Sequence, residues 1–475
     1  MRRPNVVWIC ADDYTPDACG AYGSPVARTP HLDRLATDAV LFEQAFATAP
    51  LSTPSRQSFF TGRYPRTIGV TLSPTPLPAN EITLPARLMA AGYHTAAFGK
   101  THFYAPRPGD FHTRVDRGEY RTWLTARGGY SVPNSPAVLG PWAPFSDPAR
   151  VWLNADVKPF GGRDEEMVGT FYARSAADFI RARPAEPYFC YVSFYETHSP
   201  FWFPADWPHR HSPDEFSAPD VSETDLAELP EVFHDLTAAD RRGIAAAYHT
   251  CAGFMDKNVG LVLDAVRESG TWDDTLVVFT SDHGYLLGQH GRFEKHCSYD
   301  PAVRSCLILK PPNASQSVVK SSALVSLFDL FPTVLECAGV PVPDGVQANS
   351  LWPVLNGETA NHRDHVIAEY CDNTEIMVRT VRWKYVYSAG TRLRRDGYAR
   401  PDDPRGVSTK LFDLQNDPHE LTDLSTDTNY DGVHREMLKL VLAHVLDTEK
   451  IPQRIADAND VETLLAAALF PPERW

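Results

Sequence analysis

The chain reads as an α/β protein: a large mixed, mostly parallel sheet flanked by helices, followed by a small C-terminal antiparallel α+β subdomain. Three observations predict this. Short β-branched runs alternate with helix-period segments through most of the chain, as in a parallel sheet covered on both faces. The 475 residues can bury a large core and make two to three domain equivalents, or one large α/β unit with an appendage. After about residue 363 the alternation gives way to closely spaced strand-like runs, so the boundary is drawn between 1–362 and 363–475.

The first apolar run, residues 6–11, follows Met1-Arg2-Arg3-Pro4 directly. It is too short for a signal-peptide core and reads as a buried strand. Further strands are expected at 95–99, 188–194 and 275–280, and helices at 31–38, 55–60, 84–91, 170–181, 238–269 and 323–338. In the longest helix Ala245, Tyr248, Ala252, Met255 and Val259 recur at three-to-four spacing, which lays one stripe on the sheet. Two stretches, 104–162 and 201–230, show no period. Loops of this length in a compact domain are lids or binding loops, or else surface insertions. The C-terminal part is expected to hold strands at 366–370, 375–388 and 411–414 and a helix at 433–446.

Composition is that of a globular chain, 43% hydrophobic and 22% charged, with no run long enough to span a bilayer. The formal charge of −15 argues against nucleic acid or an anionic membrane as partner. A site for an anionic substrate must then be a local basic pocket. The beginning of the chain is read as cytoplasmic, or as periplasmic or secreted if a leader was removed. Eight scattered cysteines without C-x-x-C spacing favour reduced, buried thiols over disulfides or zinc.

Asp12-Asp13 stands at the C-terminal end of the first strand, where open α/β sheets place ligands. Adjacent carboxylates leaving a strand repel unless a cation joins them. Asp282-His283-Gly284 repeats the arrangement at a second strand end, and this oxygen-rich set suits Ca2+ or Mg2+ better than zinc. Taken singly, each pair is more often a cap or a turn. Gly99-Lys100-Thr101-His102 follows another strand; on extended backbone Lys100 and His102, two apart, face the same way. Glu196-Thr197-His198-Ser199-Pro200 ends a further strand, and Gly288-Gln289-His290-Gly291 leads through Arg292, Phe293 and Glu294 to Lys295.

Ser52-Thr53-Pro54-Ser55-Arg56, followed by Thr61-Gly62, resembles the sulfatase signature, a Cys or Ser followed by x-Pro-x-Arg and then Thr-Gly. The other segments stand in that family's order, and Leu411-Phe412-Asp413-Leu414 with Asp417-Pro418 and Glu420 resembles its tail. The chain is therefore identified as similar to type I sulfatases of the alkaline phosphatase superfamily. The resemblance implies an alkaline phosphatase-like fold and a formylglycine formed from residue 52 by a maturation enzyme. It also implies one Ca2+ (or Mg2+) on Asp12, Asp13, Ser52, Asp282 and His283, where relatives often have Asn in place of His283. Lys100, Lys295 and Arg56 would hold the sulfate oxygens and the aldehyde hydrate, which attacks sulfur in line. His198, helped by Lys295, would protonate the leaving alcohol, and His102 would take the proton that lets the aldehyde reform and expel sulfate. A plain serine sulfate lacks this route of breakdown.

Position 52 is Ser, whereas most relatives have Cys. The Ser is native and oxidised by a radical enzyme, or replaces a Cys, or stays a hydroxyl in a weak phosphatase-like enzyme or a catalytically silent sulfatase-like binding protein. A phosphonate monoester hydrolase or phosphodiesterase of the same superfamily and a choline-sulfate-type enzyme are the competing activities. The loops offer Arg107, His112, Arg114, Arg117, Arg121 and Trp123, and then Phe201, Trp202, Phe203, Trp207, His209 and Arg210. Aromatics beside Arg and His suit a sugar ring with a second anionic group, so a sulfated carbohydrate is the expected substrate; simple packing of the loops against one another is the other reading. A choline pocket would want an aromatic cage with an acidic residue.

Overall fold

The computed structural model describes residues 3–131, 162–182, 184, 187–313, 319–390 and 406–474. Nine strands form one sheet: β1 (Asn5–Ala11), β2 (Val40–Phe46), β3 (His94–Gly99), β4 (Thr113–Val115), β5 (Tyr188–Ser193), β6 (Thr275–Ser281), β7 (Arg304–Ser305), β8 (Leu307–Lys310) and β9 (Lys320–Ser326). Their spatial order is β4-β3-β5-β1-β6-β8-β2-β7, with β9 beside β2. β1 lies between β5 and β6, parallel to both, and all seven of its residues are buried, as expected for a central strand of an α/β sheet. The β8 pairings with β6 and β2 are antiparallel, which makes the sheet mixed.

The helices cover both faces. On one, Tyr248, Ala252, Met255 and Val259 of the helix Ala238–Glu268 pack with Val7 and Ile9 of β1. On the other, Trp8 meets Phe59 and Phe60 of the helix Ser52–Thr61, with ring centroids 5.0 and 5.8 Å apart. The second sheet is antiparallel throughout, β10 (His365–Tyr370), β11 (Glu375–Thr380), β12 (Trp383–Ser388) and β13 (Ser408–Asp413) in sequential order. Ile367, Ile376, Val378 and Leu411 pack there against Met437, Val441 and Val445 of the helix Asp431–Thr448 and Leu465 of the helix Val461–Leu469. All eight cysteines are free thiols. Among the described residues no helix is long and apolar enough to cross a membrane.

Several elements differ from expectation. The helix expected over 323–338 begins as strand β9 and turns through a 3-10 helix at Leu327–Asp329 into the α-helix Leu330–Cys337. The run Ala323–Val325 is apolar without a period, and pairing with β2 decides it. Asp329 then turns the chain by accepting the Ser326 amide at 3.0 Å. The run 375–388 is a hairpin of two strands, not one element. β2, β7, β8 and the helix Val461–Leu469 were not foreseen. The stretch 104–162 contains β4 and the helix Arg117–Ala126, its remainder 132–161 lying outside the described residues; 201–230 contains the helix Glu223–Glu228.

A buried polar knot ties the second sheet to the short helix Pro65–Ile68 that follows the Ser52 helix. Arg66 grips Glu369 of β10 through Nε and Nη2, both at 3.1 Å, and His444 Nε2 lies 2.7 Å from the same carboxylate. Burial pushes the Glu369 carboxyl up, but the Arg66 charge and the His444 contact outweigh it and hold it at about 2 against an ordinary 4.5. A depressed carboxyl contributes stability above its unfolded value and loses it as pH falls toward the folded value. Stability is therefore expected to decline from about pH 4.5 toward about pH 2. Glu369→Gln should flatten part of that decline when urea midpoints are compared across the window; an unchanged acid limb counts against the assignment.

Candidate active site

The site is built at the C-terminal ends of β1, β3, β5 and β6. β1 and β6 run in register, Ala11 opposite Ser281, so that Asp12 and Asp282 emerge side by side. Adjacent strand residues would point to opposite faces. Asp13 escapes this with a left-handed backbone, φ 59°, which brings its carboxylate round to the side of Asp12. The Asp13 amide donates to Asp282 Oδ1 at 3.0 Å and fixes that turn. His283 Nδ1 lies 2.9 Å from the Gly284 carbonyl, a contact that places the proton on Nδ1 and leaves Nε2 as a lone-pair donor. That Nε2 lies 3.4 Å from Asp13 Oδ1 and 3.7 Å from Asp282 Oδ1.

One ligand atom from each of Asp12, Asp13, Asp282 and His283 lies within 4.8 Å of the others, and all four residues are buried. Three carboxylates and one aimed imidazole nitrogen fit a hard divalent cation. The donor set also fits by charge. Asp12, Asp13 and Asp282 are matched by Arg56, Lys100 and Lys295, so a divalent ion would make the centre net positive and receptive to an anion.

The helix Ser52–Thr61 brings its N-terminus to this centre, with the positive end of its dipole leading. Ser52 Oγ donates to Asp12 Oδ1 at 3.0 Å and stands 3.1 Å from His283 Nε2. One turn on, Arg56 shares the same helix face but lies beneath the site, fully buried. Its Nε donates to Asp282 Oδ2 at 2.8 Å and Nη2 to Asp12 Oδ1 at 3.4 Å. Nη1 donates to the Lys100 carbonyl, Tyr191 hydroxyl and Ser193 Oγ at 3.0, 3.0 and 2.7 Å. The resemblance implies Arg56 on the sulfate oxygens; in the structure its donors face the carboxylates and the sheet, so it orients Asp12 and Asp282.

Lys100 reaches the site because Gly99 ends β3 with φ 102° and its backbone almost touches β5; a Cβ there would lie 1.9 Å from the Ser193 carbonyl oxygen. Lys100 Nζ donates to Asp12 Oδ2, and Lys295 Nζ donates to both oxygens of Asp13 at 2.6 and 2.8 Å. Burial pushes the Asp12 carboxyl up, yet the Lys100 and Arg56 charges hold it well below the usual range. Lys100 and His102 do converge on one cavity, although not by strand alternation. β3 stops at Gly99, and His102 is swung inward by a left-handed backbone at φ 61°. Its Nδ1 lies 3.4 Å from Thr53 Oγ1 and its Nε2 3.0 Å from the Tyr104 hydroxyl. Burial, then the charges of Lys100 and Arg56, hold His102 well below the ordinary imidazole value, so it is neutral. His198 is also lowered by burial, with Asp13 partly opposing. Its Nδ1 lies 2.6 Å from the Ser199 carbonyl and its Nε2 3.9 Å from Asp13 Oδ2.

Asp13, Ser52, Lys100, His102, His198 and Lys295 line a cavity of about 560 Å3. Ser73, Tyr104, Tyr285, Glu294, His296 and Asp372 share the lining, none singled out from the sequence as site residues. Glu294 and His296 flank Lys295 and were within reach of the motif. Asp372 follows β10 of the second sheet and carries no local signal. Most of the loop aromatics and arginines lie elsewhere. Phe201 and Phe203 are buried in the core, and Trp207 packs on Phe254. Arg107 pairs with Asp110, while His112 stacks on His94. Arg117 lies over the rings of Tyr195 and Trp202. His290 is likewise structural, stacked on Tyr299 with Nδ1 2.9 Å from Asp225.

Comparison with known proteins agrees with this arrangement. The sulfatase family model matches residues 4–340, and the model for the C-terminal part of N-sulphoglucosamine sulphohydrolase matches residues 288–446. An N-acetylglucosamine-6-O-sulfatase of Bacteroides thetaiotaomicron is 24% identical over 98% of this chain and 89% of its own. A Delta 4,5-hexuronate-2-O-sulfatase of the same organism is 26% identical, over 92% of this chain and 88% of its own. Among solved structures, the phosphonate monoester hydrolase of Agrobacterium radiobacter superposes with a TM-score of 0.77 at 25% identity, over 94% of this chain and 96% of that one. With its paired strand-end carboxylates, its Ser52 helix and a family match over most of its length, this chain belongs to the type I sulfatases of the alkaline phosphatase superfamily, the sulfuric ester hydrolases.

Proposed function

We propose that the chain hydrolyses a sulfate monoester of a carbohydrate, with a formylglycine made from Ser52 by a maturation enzyme and one Ca2+ or Mg2+ on Asp12, Asp13, Asp282 and His283. The observation that carries this reading is Ser52 Oγ, 3.0 and 3.1 Å from two of the four candidate ligands at the floor of one cavity. The aldehyde would supply a hydrated nucleophile, and the cation a Lewis acid for the sulfate oxygens.

The chain's own residues do the rest. Lys100 and Lys295 present ammonium groups to an anion entering between them, where developing negative charge is stabilised by fixed positive charge. Arg56 holds Asp12 and Asp282 in place from below. His198 Nε2 faces the cavity and would carry the proton to the leaving oxygen, while neutral His102 would accept a proton at Nδ1, the atom turned toward Thr53 beside residue 52.

These roles separate by leaving group. His198→Ala is expected to cut kcat/KM by about 100-fold or more on alkyl sulfates such as sugar sulfates, with little effect on an activated aryl sulfate. His102→Ala should still release one equivalent of alcohol in a burst and then stall. Equal losses on every ester with no burst would remove both assignments. The fold similarity to a phosphonate monoester hydrolase favours phosphonate or phosphodiester hydrolysis as the second reading. The matured protein should favour an aryl sulfate over an aryl phosphonate monoester in kcat/KM; the reverse order assigns the second activity.

A further inference from the structure

Tyr248 belongs to the apolar stripe that lays the helix Ala238–Glu268 on the sheet, and its ring packs as a core residue. The side chain is fully buried, edge-on to Phe201 at 5.3 Å and stacked on Tyr285 at 5.5 Å between ring centroids. Packing alone does not account for its hydroxyl. That group donates to the Asp13 carbonyl at 2.6 Å and accepts the Thr15 amide at 3.1 Å, so it brackets the backbone that leaves β1. Thr197 Oγ1 donates to the same Asp13 carbonyl at 3.1 Å. On the other side of the residue, the Asp13 amide donates to Asp282 Oδ1 at 3.0 Å. Both peptide groups of Asp13 are thus held by side chains that arrive from distant parts of the chain.

Asp13 is the residue whose left-handed backbone, φ 59°, turns its carboxylate toward Asp12. A residue with a side chain stays in that sparsely populated region only while its surroundings hold it there. Rotation about its backbone would swing the carboxylate away from Asp12, Asp282 and His283, and would carry with it the seat of Lys295 Nζ, 2.6 Å from Asp13 Oδ1. Resting on the reading of this centre as a Ca2+ or Mg2+ site, we infer that Tyr248 is a positioning residue for the metal. Its hydroxyl fixes the backbone of residues 13–15 and acts on the ion through Asp13 alone. Groups of this kind, one layer behind the ligands, set metal affinity by holding ligand orientation, and their loss typically costs about 10–100-fold.

Tyr248→Phe keeps the ring and its packing and removes both hydrogen bonds. Tyr22→Phe serves as the control, because Tyr22 makes a clamp of the same kind outside the cavity lining. Its hydroxyl accepts the Leu307 amide at 2.7 Å and is 3.1 Å from the carbonyls of Phe42 and Leu307. Binding of Ca2+ and of Mg2+ to the full-length, unmatured chains, first freed of metal with a chelator, is measured by calorimetry. Urea midpoints are read with and without the better-bound ion. Tyr248→Phe is expected to weaken binding of that ion about tenfold or more and to shrink the midpoint shift it produces. Tyr22→Phe should lower the metal-free midpoint and leave affinity within about threefold of wild type, since it removes buried hydrogen bonds without touching a ligand. Unchanged affinity in Tyr248→Phe overturns the inference. An equal loss in both variants also overturns it, by showing that any missing buried phenol has this effect. Failure of the wild-type chain to bind either ion removes the metal assignment, and this inference with it.

Discussion

Asp282→Ala is expected to abolish turnover and to lower stability at the same time. Asp282 Oδ1 receives the amides of Asp13 and His283 at 3.0 and 3.1 Å, and Oδ2 receives Arg56 Nε at 2.8 Å. Removing the carboxylate deletes a candidate metal ligand, frees the backbone turn that aims Asp13, and strips one partner from a fully buried guanidinium. Breaking a buried ion pair from one side typically costs about 3–5 kcal/mol, because the remaining charge stays desolvated. The alanine variant should therefore show both a lower denaturant midpoint and no retained Ca2+ or Mg2+. Asp282→Asn separates the two effects in part: its one oxygen can accept either from Arg56 or from the two backbone amides, so only part of the stability should return, while metal affinity and kcat/KM stay down by about 100-fold or more. Elemental analysis and urea unfolding of the two variants read this directly. An Asn variant that retains one equivalent of metal and normal turnover would exclude Asp282 from the ligand set.

Protein that keeps an ordinary serine at position 52 is expected to release negligible sulfate, yet to bind metal and ester. A serine hydroxyl needs a base to become a competent nucleophile at neutral pH. The groups within reach of Ser52 Oγ are Asp12 and His283, at 3.0 and 3.1 Å, and both belong to the candidate metal-binding set. His102, the neutral imidazole, is turned toward Thr53 and Tyr104 instead. Production with a serine-type maturase should make the peptide containing residue 52 lighter by two hydrogens and switch activity on. Ser52→Cys should gain activity in a host that carries only the cysteine-type maturing enzyme, and Ser52→Ala in neither. Robust sulfate release from a preparation in which mass spectrometry finds only unmodified serine would force a direct-serine route.

The contrast between these two variants shows where information about the site resides. Asp12-Asp13, Asp282-His283, Ser52 to Arg56, Lys100 and Lys295 stand in short contiguous segments at the ends of buried apolar runs. Strand ends and helix starts are local events, governed by side-chain period and by the few residues that close each run. Period and run ends therefore place these groups on one side of a sheet, and the resemblance to the sulfatase signature assigns them to one class of chemistry. Buried thiols in place of disulfides were legible for the same reason, since Cys10, Cys190 and Cys306 sit in apolar runs.

What the sequence by itself determined is thus the fold class, the strand-end carboxylates and a helix over 55–60, which the structure extends to Ser52–Thr61; the set of residues that meet there followed from the resemblance. Tertiary structure alone decided the direction in which those residues act. Arg56 carries the same charge wherever it points, and only the packing of its helix against β1 and β6 turns it onto Asp12 and Asp282. Asp13 and His102 face inward through left-handed backbone, which Asp and His tolerate better than most residues but which neither requires. The apolar stretch 323–326 became a strand because β2 offered it partners, and of the loop aromatics Phe201 and Phe203 became core while Trp123, Trp202 and Trp207 pack against it partly buried. Asp372 reached the cavity from the second sheet, far along the chain. Each of these outcomes depends on contacts between residues distant in sequence, and the physical reason is common to them: period and composition describe how a segment buries itself, whereas the identity of the surface it meets is set only once the whole chain is packed.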